Sequence, residues 1–260
     1  MAAPPENKLD SLGIVNSSGF PLQIAVGHYV RTEGSDSGFE VLFSEHAWQN
    51  PRTGDTGFID LVLRKGPIFL VVECKRPKDT KWIFFRDDPK KADRRHAKCW
   101  VSTPKKVFDW RDVAMSPTSF QAAFCTTRGS NGNDVPMLER IAGPLIEATE
   151  ALAVETEGAR GKEFGTRFFF NVIVTTAPLE KCLFDPAEIS LTTGKIANAD
   201  CASIPYVRFR KHLSARAGKA KDLRGLVSAK ENTVFVVNAA FLGNFLDGFE
   251  IDQESIDKYS

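Results

Sequence analysis

The chain carries almost no net charge: 34 Lys and Arg stand against 33 Asp and Glu, leaving +1. It has no run near the ~20 consecutive apolar residues of a membrane helix. The longest, Ile68-Phe69-Leu70-Val71-Val72, has the length of a strand. The first residues lack the basic-then-apolar layout of a secretory signal, so a cytoplasmic protein with no membrane partner is expected. Cysteine is sparse. Cys74, Cys99, Cys125, Cys182 and Cys201 are odd in number, widely spaced and without a C-x-x-C pair. That argues against a disulfide scaffold and for buried free thiols. His96 and Cys99 supply at most half of a tetrahedral zinc site. Tyr and Trp number 3 and 4 against 20 Phe, so the core should be largely dry. There is no internal repeat, no phosphate-cradling G-x-x-x-x-G-K-[ST] loop, no dinucleotide fingerprint and no G-x-S-x-G elbow, which removes the commonest nucleotide-hydrolysing, redox and serine-hydrolase readings.

What is present is ordinary globular composition, 42% apolar and 26% charged, which excludes a mainly disordered chain. A helix is expected over residues 21–31, where Leu22, Ala25, Val26, Tyr29 and Val30 form one face, Pro21 suits the first turn and Ser17 or Ser18 can cap. Strands follow over 39–49, 58–64 and 68–75, the last two joined by Lys65-Gly66. Ser116-Pro117 reads as the cap and first position of a helix ending near Arg128. A longer helix spans 136–157, kinked at Pro144. Residues 167–176 (RFFFNVIVTT) have the continuous apolarity of a strand buried on both faces. Further strands are expected at 181–184, 206–211 and 233–237, and a last helix at 239–247. This order defines an α/β domain with a mixed sheet.

Three charged residues interrupt otherwise apolar strands. Asp60 lies within Phe58-Ile59-Asp60-Leu61-Val62-Leu63, and Glu73 and Lys75 end the third strand. Alternation puts Glu73 and Lys75 on one face. With Lys65-Gly66 as a two-residue turn, Arg64 pairs with Pro67 and Asp60 lies opposite Val71. Asp60 is then the diagonal neighbour of Glu73, ~7–8 Å away. Charges on an apolar strand are costly unless paired or bound to an ion. Two carboxylates suit Mg²⁺ together with water and a substrate phosphate, and a nearby Lys can orient a hydrolytic water. The plain structural alternative is an ion pair of Lys75 with Asp60 or Glu73 at a strand end.

Asp60, twelve intervening residues and Glu73-Cys74-Lys75 resemble the PD-(D/E)XK signature of restriction-endonuclease-like nucleases. The chain has four [DE]-x-K matches, but only Glu73/Lys75 ends an apolar strand that follows another bearing an Asp. The resemblance spans about residues 21–176 and implies a restriction-endonuclease-like core, a mixed central β-sheet flanked by helices in the order αβββαβ with C-terminal strand and helix additions. By resemblance, Asp60 and Glu73 are metal ligands, the Cys74 backbone carbonyl is a third donor and Lys75 acts on the water. Mg²⁺ is the implied cofactor, with Mn²⁺ able to substitute. Ile59 replaces the usual Pro. The acid that many members carry on the first helix is missing, since that helix offers only Gln23 and His28. Candidate auxiliary residues are therefore Glu40, Glu45, His28 and Gln121, the last placed on the helix after the Glu-x-Lys strand.

Neutrality overall conceals local asymmetry. Residues 75–111 hold thirteen cations against five acids, and residues 208–224 hold seven against one. Such stretches attract a polyanion. Lys78, Lys81, Arg94, Arg95, Lys98, Arg208, Arg210 and Lys211 are the expected phosphate contacts, with Tyr206, Arg208 and Arg210 on one strand face as a basic edge. The expected organisation is a flexible 1–12, a single domain over 13–250 (core about 20–177, basic insertion 76–112, C-terminal elaboration 178–250) and an acidic tail at 251–260. The tail, or residues 241–249, offers a docking element for a homo-oligomer or a larger assembly. The function expected is a Mg²⁺-dependent nuclease acting on DNA, in a restriction or defence setting by analogy. The alternative is a catalytically silent nuclease-like module that binds nucleic acid or protein.

Overall fold

The computed structural model describes residues 11–51, 53–77, 80–86, 92–103, 107–127, 137–158, 165–214 and 222–259. A short helix, α1 (Ser11–Ser17), leads into α2 (Phe20–Thr32). Leu22, Val26 and Val30, four residues apart, make the buried stripe of α2, and Pro21 sits in its first turn, where a missing N–H costs nothing. Ser17 and Ser18 do not cap it. Their hydroxyls turn back to the Ile14 and Val15 carbonyls.

Three antiparallel strands follow: β1 (Glu40–Gln49), β2 (Thr56–Lys65) and β3 (Ile68–Lys75). The register of the second hairpin differs from expectation by two residues. Lys65 pairs with Ile68 and Arg64 with Phe69. The loop is Gly66-Pro67, with Gly66 at φ 55°, a conformation glycine adopts without strain. Pro67 has no N–H to give to a ladder, so it belongs in the turn. A shift of two keeps the side chains of the paired residues on their predicted faces; before Leu61, where the ladder ends, Ile59 joins the core on the α3 side.

The basic stretch after β3 is largely strand. β4 (Trp82–Phe85), β5 (Arg94–Ser102), β6 (Val107–Ser119), β7 (Gln121–Ala122) and β8 (Phe124–Thr127) occupy it and the segment beyond. The helix expected from Ser116-Pro117 is therefore replaced by the end of β6 and by β7 and β8. Each of these finds a partner strand, β6 on β5, β7 on a later strand and β8 on β4, and cross-strand pairing overrides the local cap signal. Then come α3 (Met137–Gly158), β9 (Arg167–Thr175), β10 (Leu179–Leu183), β11 (Asp200–Ser203), β12 (Tyr206–His212), α4 (Leu223–Lys230), β13 (Glu231–Asn238), α5 (Leu242–Asp247), β14 (Glu250–Ile251) and α6 (Gln253–Tyr259).

Ten strands form one mixed sheet with the main order β1-β2-β3-β9-β13-β12-β7, and β5, β6 and β14 extend from β9. A four-stranded sheet, β11-β10-β4-β8, lies apart from it. β9 runs parallel to both β3 and β13, and all nine of its residues are buried. One face of the large sheet packs on α3 and on Trp82 and Phe84 of the small sheet. The other packs on α2, α5 and the ring cluster of Phe235, Phe245 and Phe249. The molecule is thus a mixed α/β structure with a large mixed sheet flanked by helices. Asn171, the one polar residue in the middle of β9, is fully buried and satisfied by the Thr149 hydroxyl and the Thr233 carbonyl.

Two other expectations change. Cys182 and Cys201, on paired strands β10 and β11, form a disulfide, while Cys74, Cys99 and Cys125 are buried free thiols. Adjacency across a hairpin fixes that pair, and sequence spacing of 19 residues does not reveal it. The C-terminal segment is docked on the body: Ile256 and Tyr259 pack against the core, and Asp252 pairs with Arg95 at 2.9 Å. Phe245 and Phe249 are fully buried and supply core, while Phe241, at the start of that segment, is 45% exposed. The expected flexible residues 1–10 lie outside the described residues, and Ser11 and Leu12 belong to α1. No helix of the described residues is long and apolar enough to cross a membrane.

Candidate functional site

The last residues of β3 meet the middle of β2 at the rim of the sheet. The β2–β3 ladder stops at Leu61↔Val72; its continuation sets Asp60 directly across from Glu73, one step closer than the predicted diagonal. Beyond that point the Asp60 carboxylate takes over the role of the missing ladder partner. Its Oδ2 accepts the Cys74 backbone N–H at 2.6 Å. Glu73 and Lys75, two residues apart on one face, form an ion pair at 2.5 Å. They line a cleft of about 300 Å³ with Ile59 and Phe58 of β2 and Arg140 and Leu145 of α3. The structure therefore brings Asp60, Glu73, Cys74 and Lys75 together.

Asp60 is the electrostatically unusual member. Burial, then repulsion from Glu73, raises its carboxyl to about 6 from an ordinary 3.8, with Glu45 adding to the rise; the Cys74 N–H and the Lys75 ammonium pull the other way. An acid held in this way is under-neutralised by its protein surroundings, which is the environment in which a divalent cation gains most. Burial likewise pushes the Cys74 thiol upward, reinforced by Asp60 and Glu73, so its side chain is an inert neutral group, and only its carbonyl is a candidate donor.

Of the auxiliary candidates, Glu45 alone adjoins this rim. It lies on β1 between Ser44, paired with Leu61, and His46, paired with Ile59, and so faces Asp60. Glu45 is the single non-glycine residue with a left-handed backbone among the described residues, at φ 52°. Such a conformation costs roughly 1–2 kcal/mol and persists only when neighbours hold it. The buried Gln23 side chain of α2 does so. Its amide donates to the Glu45 carboxylate and, at 3.0 Å, to the Asp60 carbonyl. Gln23 thus pins β1 and β2 at the height of the acids, although in the sequence it counts only as a non-acid.

The other candidates lie elsewhere. Glu40 sits at the opposite end of β1, paired with Arg64. His28 is on the exposed side of α2, more than a turn beyond Gln23. Gln121 is on strand β7 beside Arg208 of β12, not on a helix. Among the described residues, no group of three or more His, Cys, Asp or Glu side chains is placed to hold a metal. A cation at this rim would have two carboxylates, the Cys74 carbonyl and water or phosphate oxygens. That donor set suits Mg²⁺, which keeps several waters, and does not suit an all-protein cage.

Most of the expected phosphate contacts are engaged internally. Lys98 is 3% exposed and its ammonium reaches the Ser228 carbonyl and, at 3.1 Å, the Ser228 hydroxyl. Arg208 is fully buried, donating to the Arg94 and Met115 carbonyls over the Phe235 ring, and burial lowers its guanidinium to about 10. Neither can touch a polyanion. The predicted alternation in β12 is present, but both of its faces are covered. Arg210 is held by Asp112 and Glu231, Lys211 by Glu139, Lys81 by Glu180 and Arg95 by Asp252. The Arg94 side chain is exposed, and Lys78 lies outside the described residues. Sequence counting records cations but not the acids that strand pairing sets beside them.

Comparison with models of known protein families, with curated proteins and with solved structures finds no match.

Proposed function

We propose that the protein is a Mg²⁺-dependent phosphodiester hydrolase, a nuclease with DNA as the favoured substrate. The observation that carries this reading is the meeting of Asp60 with Glu73 at one sheet rim, half-buried, mutually repelling and beside a lysine. A purely structural ion pair needs one acid for Lys75, and Glu73 already fills that role at 2.5 Å. The second acid, Asp60, raises the cost of folding and has no structural debt to Lys75. The element order α2–β1–β2–β3–α3–β9, with β4 to β8 inserted before α3, also agrees with the resemblance to PD-(D/E)XK nucleases.

When bound, Mg²⁺ supplies positive charge for the attacked phosphate and lowers the pKa of a coordinated water. Asp60 and Glu73 would hold it, with the Cys74 carbonyl. The Cys74 N–H fixes Oδ2 of Asp60 and so would orient the carboxylate. Gln23, through the Asp60 carbonyl and Glu45, holds the β1–β2 rim in place. Lys75, paired with Glu73 and 41% exposed at its side chain, lines the cleft, where its ammonium would orient a water toward the phosphate and donate a hydrogen bond to it. Arg140, lining the same cleft, adds a second cation for the substrate's negative charge.

The test is cleavage of supercoiled plasmid, single-stranded DNA and RNA in Mg²⁺, Mn²⁺ or chelator. The expected result is metal-dependent cleavage that Asp60→Ala and Lys75→Ala abolish while nucleic-acid binding persists. Binding without cleavage under every condition would assign the domain instead to silent nucleic-acid recognition.

A further inference from the structure

The cleft at Glu73 and Lys75 does not end at the acids. It shares Trp48, Thr56, Gly57 and Phe58 with an open groove of about 790 Å³ that continues between the β1–β2 hairpin and α3. Two features of this channel serve no evident structural purpose. Phe58 is 65% exposed, although it lies within a strand whose neighbour Ile59 is 1% exposed. Arg140 is exposed, lines the cleft, and has no anionic partner among the described residues. Trp48 forms the floor. It packs across Gly57, its cross-strand partner, where a Cβ would come within 3.0–3.1 Å of the indole. Gly57 therefore gives the indole its seat beside Phe58.

The channel is polar at one end and apolar at the other. Next to the acids stand Lys75 and Arg140. At the far end Ala151 and Val154 line the wall, and Glu155 is held to His46 at 3.0 Å. A phosphate fits the cationic end, whereas the far end repels it and favours a flat apolar group. A nucleotide joins these two chemistries, an anionic phosphate and a flat base, in one unit. Inside a closed duplex, base faces are already stacked on one another, so an exposed ring stacks on an unpaired or end base.

Resting on the hydrolase reading above, we propose that this channel takes an unpaired strand, with a backbone phosphate against Arg140 and a base stacked on Phe58, so that single strands and frayed ends are preferred over closed duplex. Phe58 is then a specificity-determining residue and Arg140 a phosphate-binding one.

The proposal is tested by fluorescence anisotropy in chelator, where no cleavage competes, with a labelled single-stranded DNA oligonucleotide and a closed dumbbell duplex as probes. Wild type should bind the single strand more tightly. Phe58→Ala should weaken single-strand binding about 5- to 150-fold, the range for loss of one base–aromatic stack, and leave the dumbbell unchanged. Phe58→Trp should retain the preference, and Phe58→Leu, which keeps the apolar contact without the ring, should lose it. Arg140→Ala should reduce the logarithmic salt slope by about 0.7, and Arg140→Lys should restore it. Because both side chains are exposed, circular dichroism melts of all variants should match wild type. Equal affinity of wild type for the two probes, or a Phe58→Ala variant that binds the single strand as wild type does, would overturn the proposal. If the protein cleaves nucleic acid but Phe58 does not discriminate, the groove assignment alone falls. If nothing is cleaved but Phe58 still sets the single-strand preference, the hydrolase reading falls and the groove assignment stands.

Discussion

Replacing Asp60 with Asn should make the metal-free protein more stable at neutral pH and leave it unchanged near pH 4. The Asp60 carboxyl titrates at about 6 in the folded chain against an ordinary 3.8, so the folded state holds its proton more tightly than the unfolded state does. The stability tied to its proton is fully present below about pH 4 and lost as pH rises through 6; against an uncharged side chain it therefore has no effect near pH 4 and opposes folding by a constant amount above 6. The difference converts at 1.36 kcal/mol per pH unit to about 3 kcal/mol; partial exposure and solvent screening bring the expected value to about 2 kcal/mol. Asn has no charge to desolvate or to set against Glu73, and its side-chain oxygen can still accept the Cys74 N–H. Urea unfolding of both proteins in chelator, from pH 4 to pH 8, gives the difference directly. It should be near zero at pH 4, grow through pH 5 to 6 and level off above 7. An Asn variant equally or less stable at pH 8, or a difference independent of pH, would contradict a strained Asp60 carboxylate. It would mean that the acids at this rim are satisfied by the protein alone.

Gln23→Leu should cost about 1–3 kcal/mol in urea unfolding, because the Asp60 carbonyl loses its buried donor, and should reduce cleavage further than the stability loss explains. Reduction of the Cys182–Cys201 bond, which closes a 19-residue separation, should lower stability by up to about 3 kcal/mol on chain-entropy grounds; a melting temperature unchanged by dithiothreitol would show that the pair is not bonded in solution. Lys98→Ala and Arg208→Ala should each destabilise the fold by about 1–3 kcal/mol, because buried carbonyls lose their donors, yet leave the salt dependence of nucleic-acid binding unaltered, since neither reaches the surface; a reduced salt slope in either would return it to the phosphate contacts.

The candidate acids were noticed because of the apolar pattern around them. Asp60, Glu73 and Lys75 stand out as charges in apolar strands, and the register, two residues from the expected one, sets Asp60 level with Glu73 where the ladder ends. The β9 run is legible for the same reason: only burial on both faces tolerates RFFFNVIVT. Legibility fails where the deciding partner is distant. Ser116-Pro117 carries a helix-start signal, but the chain beyond it pairs with β12 and β4, segments before and far after it. Lys98 and Arg208 read as surface cations until β5, β12 and β13 bury them. Gln23 and Arg140 have no sequence signal of their own. Their positions on α2 and α3 gain meaning only when those helices are laid on opposite faces of the sheet. Glu45 could have been singled out over Glu40 by its place opposite Asp60, but only once the β1–β2 register was known.

The claim that Asp60 and Glu73 share one divalent cation is tested most directly by calorimetric titration of Mn²⁺ into the wild-type protein and the Asp60→Asn and Glu73→Gln variants at pH 7.5. Binding to wild type should be saturable, and each variant should bind at least tenfold more weakly. Wild-type binding that both variants retain, or no binding at millimolar Mn²⁺, would contradict a shared cation.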